Sequence, residues 1–220
     1  MASLLLLVPT AGERRVLEAA LGDACRIELC GFGPVAAAAR TAELLARHSP
    51  ARVLLAGLAG RIDERLAIGS AYVFSEVACF GIGVGSGSAF ETAGGMGWPH
   101  WPGDPTGPHR SIGDVIPLAR SPSVDGTPAG LLLTACAASA DRADVADRRR
   151  LFPAAVAEDM EGFGVALACR LAGVPLEIVR GISNAAGDRD HARWAIEPAL
   201  SAAARLAAGI LAWPPPEPSE

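Results

Sequence analysis

The chain has 220 residues, 50% of them hydrophobic, and a formal net charge of -5. That size suits one α/β unit with a sizeable core, and the acidic balance argues against a nucleic-acid binder, since Arg148-Arg149-Arg150 is the only cationic run. All 19 basic residues are arginine, which excludes lysine Schiff-base and P-loop chemistry.

Leu4 to Val8 is a short apolar run ended by Pro9-Thr10, as in a central strand buried on both faces. It is too short to cross a membrane and has no charged leader, so no secretory or transmembrane segment is predicted. Thr10 and Glu13 have capping-box spacing for a following helix. From spacing alone, Glu13 is a capping carboxylate rather than a reacting one. Arg26 to Cys30 reads as a second strand. Gly31-Phe32-Gly33-Pro34-Val35-Ala36 imitates a dinucleotide fingerprint, but the strand after it ends in Gly57 rather than an acid. A tight turn with Pro34 as first helical residue is the better account, the helix ending near Arg47.

Arg52 to Ala56 reads as a strand entering a glycine turn, Gly57-Leu58-Ala59-Gly60, whose backbone N–H groups can approach an anion or a water. Ala67 to Ser70 is a further turn, and Ala71 to Val77 a strand. From Gly81 to Gly130 glycine and proline dominate, with Phe90, Trp98, His100, Trp101 and His109 interspersed. So long a loop is usually functional or disordered, and a lid over a flat ligand is one reading of it. Leu131 to Ala135 is a strand, Arg142 to Leu151 a charged helix, and Ala154 to Ala157 a short strand. In that helix the arginine run reads as a solvated face.

Met160, Gly164, Leu167 and Leu171 then recur at helical spacing, and Gly173 and Pro175 stop the helix. Val174 to Val179 reads as a strand with Arg180 and Asn184 at or past its carboxyl end, the edge where open α/β sheets bind ligands. Asn184 is the only asparagine, and there is no glutamine. Its amide is either a turn former or a donor and acceptor for a planar ligand. Gly187 to His191 is a polar connection, and Trp194 to Trp213 carries an alanine-rich helix. The organisation is a single domain over 1–213 and a Pro-rich, disordered-type tail over 214–220. Cys25, Cys30, Cys79, Cys136 and Cys169 form no Cys-x-x-Cys pair and read as thiols of a reducing cytoplasm. The histidines have no metal-ligand spacing, and neither a metal nor a cofactor is predicted. The alternating elements give a mostly parallel sheet covered on both faces.

Glu158-Asp159-Met160-Glu161-Gly162, followed by Val179-Arg180-Gly181-Ile182-Ser183-Asn184, resembles the signature of the purine nucleoside phosphorylase/nucleosidase superfamily. The Ala56 to Gly60 segment before Leu66 to Gly69 is similar too, as is the Pro9 to Glu13 exit. Within the superfamily, Gly181 to Asn184 with Gly187 to Asp190 and Trp194 most resembles the futalosine hydrolase subgroup, nucleosidases of menaquinone biosynthesis. The resemblance covers all but the Gly81 to Gly130 loop. It implies a three-layer α/β/α sandwich around a central mixed, mostly parallel sheet, and a homo-oligomer acting on a small purine nucleoside.

By the same resemblance, Met160 packs on the ribose and Glu161 accepts its hydroxyl hydrogens. Glu13 and Arg180 flank the attacking water, and Gly57, Ala59 and Gly60 border the substrate. Glu13 thereby moves from a capping role to the reacting centre. Asn184 stands where methylthioadenosine/S-adenosylhomocysteine nucleosidases carry an aspartate, and a neutral amide suits a 6-oxopurine. Three departures stand out. The first strand exit lacks the phosphorylases' Gly-Asp-Pro-x-Arg loop, Leu58 replaces a common serine, and no Asp-x-Phe-Ile segment follows Leu133. Hydrolysis is therefore favoured over phosphorolysis of inosine or guanosine, with a non-catalytic nucleoside-binding protein as the other class. The benzoate end of futalosine calls for a cation or imidazole: Arg61, Arg110, His100 or His109.

Overall fold

A computed structural model describes residues 3–104, 106–107, 110–121 and 129–212. His109, Trp213 and the 214–220 tail lie outside the described residues. The strands are β1 (Leu4–Val8), β2 (Arg26–Leu29), β3 (Arg52–Arg61), β4 (Ala71–Val73), β5 (Glu76–Phe80), β6 (Gly83–Val84), β7 (Glu91–Thr92), β8 (Val115–Pro117), β9 (Leu131–Ala135), β10 (Ala155–Asp159) and β11 (Leu176–Ala185). The α-helices are α1 (Ala11–Leu21), α2 (Pro34–His48), α3 (Arg142–Leu151), α4 (Gly162–Ala172) and α5 (Ile196–Leu211).

Side chains alternate across a strand, so a strand covered on both faces needs apolar residues at every position. β1 meets that requirement. Leu5 and Leu7 face one side with Val53, Leu55 and Ile178, packed under Leu44 of α2 and Phe163 and Cys169 of α4. Leu6 and Val8 face the other with Leu54 and Val179, under Leu17 of α1 and Ala203, Ala207 and Ile210 of α5. The result is the expected α/β/α sandwich. A third cluster of Ile62, Leu133 and Phe152 lies against Val145 and Leu151 at α3. α2 and α4 touch almost backbone to backbone: a Cβ on Gly164 would stand 2.2 Å from the Pro34 carbonyl oxygen.

The main sheet runs β2-β1-β3-β10-β9-β5-β8, with β11 on β3 and β4 on β11. It is mixed. β1 is parallel to β2 and β3, β11 is parallel to β3, and β10-β9-β5 run parallel. β10 is antiparallel to β3, as β4 is to β11 and β8 to β5.

Two expectations fail here in an instructive way. β3 does not turn at Gly57 but runs on through Gly60 to Arg61, paired along β11 from Val53↔Leu176 to Arg61↔Ala185. Likewise β11 does not stop at Val179 and carries Arg180 and Asn184 within it. Each long strand supplies the other's ladder, and pairing overrides the low strand preference of glycine. On its opposite edge, β3 pairs with β1 up to Leu55 and with β10 only from Gly60. Between them that edge faces the start of α1.

The segment predicted as one strand over Ala71 to Val77 is divided into β4 and β5. Met160 precedes α4 instead of joining its apolar stripe. The described part of Gly81 to Gly130 holds the β6–β7 hairpin and β8, and Trp101 bridges to Ile112. Among the described residues no helix is long and apolar enough to cross a membrane.

Candidate active site

Two ladder features deliver the site. At the β3 end facing α1, the Leu58 N–H would lack a strand partner. Glu13 Oε1 accepts it at 3.0 Å. Glu13 Oε2 accepts the Thr10 N–H at 3.0 Å and the Thr10 hydroxyl at 2.6 Å, completing the capping box. One carboxylate thus caps α1, closes the gap in β3 and lines the cavity above it.

The second feature is a register shift in β11. Ile182 pairs with Ala59 and Asn184 with Gly60, leaving Ser183 as an extra residue. Such a bulge re-aims the side chains beside it. The Ser183 hydroxyl donates to Asn184 Oδ1 at 2.8 Å. Asn184 Nδ2 donates to the Ala185 carbonyl at 2.8 Å and lies 3.5 Å from that of Asp188.

Beneath these groups is a buried charge cluster. Arg180 is fully buried, its Nε and Nη2 donating to Asp159 Oδ2 at 3.1 and 2.5 Å and Nη2 to Glu161 Oε2 at 3.3 Å. Asp159 also accepts the Thr134 hydroxyl at 2.6 Å and the Gly162 N–H at 2.9 Å. The other Glu161 oxygen accepts the Gly33 N–H at 3.1 Å, so the turn after β2 contributes a donor to the site. Burial pushes the Glu161 carboxyl up to about 7 against the pull of Arg180, and the nearby charges of Asp159 and Glu13 push the same way. Among the described residues, Arg180 Nη1 is buried without a hydrogen-bond partner. It stands over Gly57: a Cβ there would lie 2.4 Å from Nη1 and 2.7 Å from Glu13 Oε1. Only glycine leaves room for both groups.

A cavity of about 460 Å³ opens above this cluster, and Glu13, Ala59, Gly60, Met160, Glu161 and Asn184 all line it. The structure therefore brings six of the eight predicted site residues to one cavity. Arg180 and Gly57 lie behind it. Gly57, Ala59 and Gly60 belong to a strand, opposite Arg180, Ile182 and Asn184, and not to an anion-binding turn.

The residues expected to meet an acidic substrate tail are placed elsewhere. Arg61 donates to the Glu64 and Leu66 carbonyls. Arg110 borders a separate cleft with Cys169 and Arg170. His100 pairs with Asp114 at 3.2 Å and packs on Phe163 with ring centroids 4.8 Å apart. None of these three lines the cavity, nor does any described residue of Gly81 to Gly130. Arg189, His191 and Trp194 line it instead. The arginine run also needs correcting. Arg148 is buried, bonded to Glu158 and to the Ala137 carbonyl, with its guanidinium 5.2 Å from the Phe80 ring centroid. Glu158 in turn holds Ser139 by its N–H at 2.9 Å and its hydroxyl at 2.7 Å.

Asp159, Ser183 and the Arg189–Trp194 segment were not assigned to the site from sequence, although most of them stand in the motifs that carry the resemblance. For Asp159 a signal existed: a buried arginine requires a carboxylate, and Asp159 sits inside the motif that supplied Glu161.

The chain belongs to the phosphorylase superfamily, whose family model matches residues 8–212. The chain is 32% identical over 210 residues to the futalosine hydrolase of Streptomyces coelicolor, covering 90% of this chain and 84% of that one. It is 30% identical over 163 residues to the 5′-methylthioadenosine/S-adenosylhomocysteine nucleosidase of Chromohalobacter salexigens, covering 71% and 65%. The corresponding nucleosidase of Neisseria meningitidis, solved with methylthio-immucillin-A, superposes with a TM-score of 0.75 at 18% identity, over 96% of this chain and 99% of that one.

Proposed function

We propose that this chain is an N-glycosyl hydrolase of 6-oxopurine nucleosides whose substrate is futalosine, releasing hypoxanthine and dehypoxanthine futalosine for menaquinone biosynthesis. The observation that carries the substrate choice is Asn184, a neutral amide on the wall of the cavity that Glu13 and Glu161 share. The match to the Streptomyces coelicolor enzyme over 90% of the chain supports the same choice.

Glycosidic cleavage builds positive charge on the ribosyl ring and negative charge on the departing base. Ionised Glu161 accepts the ribose hydroxyl hydrogens, and Met160 packs on the sugar. Glu13 orients the water, with Arg180 Nη1 beside it. The C1′–N9 bond breaks with its electron pair on the purine. The water oxygen bonds to C1′, its proton passes to Glu13, and the purine takes a proton from solvent. Asn184 donates N–H to N7 or O6, where the charge spreads. An aspartate in its place would protonate adenine but repel a keto oxygen. A carboxylate at Glu13 also disfavours phosphate as the attacking group.

The test is to incubate the protein with futalosine in phosphate-free buffer and measure hypoxanthine. Release is expected. Turnover of inosine only when phosphate is added would make the chain a phosphorylase, and calorimetric binding without any product would make it a nucleoside-binding protein. A second reading, adenine-specific cleavage, is favoured by the Chromohalobacter salexigens relative. Faster release of adenine from methylthioadenosine than of hypoxanthine from futalosine would establish it.

A further inference from the structure

The segment after Asn184 returns to the cavity with a cation of its own. Arg189 and Asn184 both line that cavity, and the carbonyl of Asp188, next to Arg189, is 3.5 Å from Asn184 Nδ2. The Asn184 amide and the backbone beside Arg189 therefore lie together at this cavity. The acids of this segment are taken by a different arginine: Arg193 pairs with Asp188 at 2.9 Å and with Asp190 at 3.2 Å. Among the described residues Arg189 has no carboxylate partner. Its guanidinium lies 5.1 Å from the Trp194 ring centroid. Trp194 is itself held, its Nε1 donating to the Asp188 carbonyl at 3.1 Å and its ring packed on His191 at 4.2 Å. A guanidinium resting on a fixed indole keeps its charge and its planar fork of donors available.

Asn184 alone is under-equipped for its proposed task. Its Oδ1 accepts from Ser183, one amide hydrogen goes to the Ala185 carbonyl at 2.8 Å, and the other makes only a long bond of 3.5 Å to the Asp188 carbonyl. At most that weakly held hydrogen can turn to the base, while a departing 6-oxopurine exposes two acceptors, N7 and O6. We propose that Arg189 is a second base-reading residue, donating to O6 of the leaving purine while Asn184 serves N7. This deepens the nucleosidase reading above and rests on it. The same guanidinium meets the amino hydrogens of a 6-aminopurine donor to donor, so it selects keto bases by repulsion as well as attraction.

The test uses inosine, a 6-oxopurine nucleoside without an acidic tail, beside a 6-aminopurine nucleoside, with Arg189→Ala and Arg189→Lys. Arg189→Ala is expected to lower kcat on inosine by roughly tenfold or more with KM changed less than about threefold, since charge on O6 develops mainly in the transition state. The ratio of 6-oxo to 6-amino kcat/KM falls with it, and lysine, a point charge without the fork, recovers only part. Hypoxanthine binding, followed by calorimetry, weakens in Arg189→Ala while adenine binding does not. Loss of futalosine turnover with inosine turnover and hypoxanthine binding intact would overturn the proposal and make Arg189 a holder of the anionic tail. A protein that hydrolyses no nucleoside, yet binds hypoxanthine through Arg189, would keep the base reader and sink the hydrolase reading instead.

Discussion

Asp159 Oδ2 and Arg180 Nη2 meet at 2.5 Å, and neither side chain is exposed. The pair fixes the guanidinium so that Nη2 reaches Glu161 while Nη1 stays over Gly57 beside Glu13. Removing one partner of a buried pair strands the other charge, at a cost of about 3–5 kcal/mol. Asp159→Asn is therefore expected to lower unfolding free energy in urea by roughly 3 kcal/mol, because Arg180 retains Glu161. A loss below about 1 kcal/mol would mean that Asp159 does not hold the guanidinium.

Glu161 sets a pH dependence of opposite sign for stability and for activity. The folded chain keeps its proton up to about 7, against an ordinary value of 4.5. Protonated Glu161 thus contributes stability in full below about 4.5, and that contribution is lost as pH rises through about 7. Glu161→Gln, neutral throughout, is expected to melt roughly 5 °C above the parent at pH 8 and level with it near pH 4.5. Activity of the parent rises with pH through the same range, because the ionised form accepts the ribose hydrogens. Melting curves and kcat/KM at each pH check both, and an equal melting difference at the two pH values would refute the assignment.

Glu13 serves the helix and the cavity with one carboxylate, and Glu13→Gln separates the two roles. The amide retains a carbonyl oxygen for the cap, so the stability cost is expected to stay near 1 kcal/mol. Its loss of basicity is expected to reduce kcat by about 100-fold or more. A urea titration alongside steady-state kinetics makes the comparison, and a kcat within threefold of the parent would return Glu13 to a capping role alone.

Gly57→Ala tests the floor of the cluster. The added Cβ would lie 2.4 Å from Arg180 Nη1, 2.7 Å from Glu13 Oε1 and 3.1 Å from Pro9 Cδ. Expected is a stability loss of about 1–3 kcal/mol with a larger proportional fall in kcat. Unchanged kinetics would show that the spacing between Arg180 and Glu13 is not used.

What the sequence disclosed is the local part. The apolar run of β1, the Thr10–Glu13 cap, Pro34 opening α2 and Gly173 closing α4 are all set by neighbours in the chain, and all are found. Met160, Glu161 and Asn184 were reached through a motif and meet at the cavity. Features decided by distant partners were not legible. Arg148 reads as solvated until β10 brings Glu158 to it. Gly57 reads as a turn until β11 pairs across it. Arg189 carries no local mark distinguishing it from Arg193, and differs only in which of them the acids of that segment neutralise.

The extra residue at Ser183 makes chain length, rather than residue identity, the sensitive variable at this end of β11. The ladder can be satisfied with one residue fewer, since Ile182 and Asn184 already oppose consecutive positions, Ala59 and Gly60. A deletion of Ser183 would therefore leave the sheet intact and α5 attached, with every residue type of the site still present. It would also give Asn184 the alternation of an uninterrupted strand and shorten the span that carries Arg189 and Trp194 back to the cavity. The base-facing end of the site is in this sense counted out along the chain.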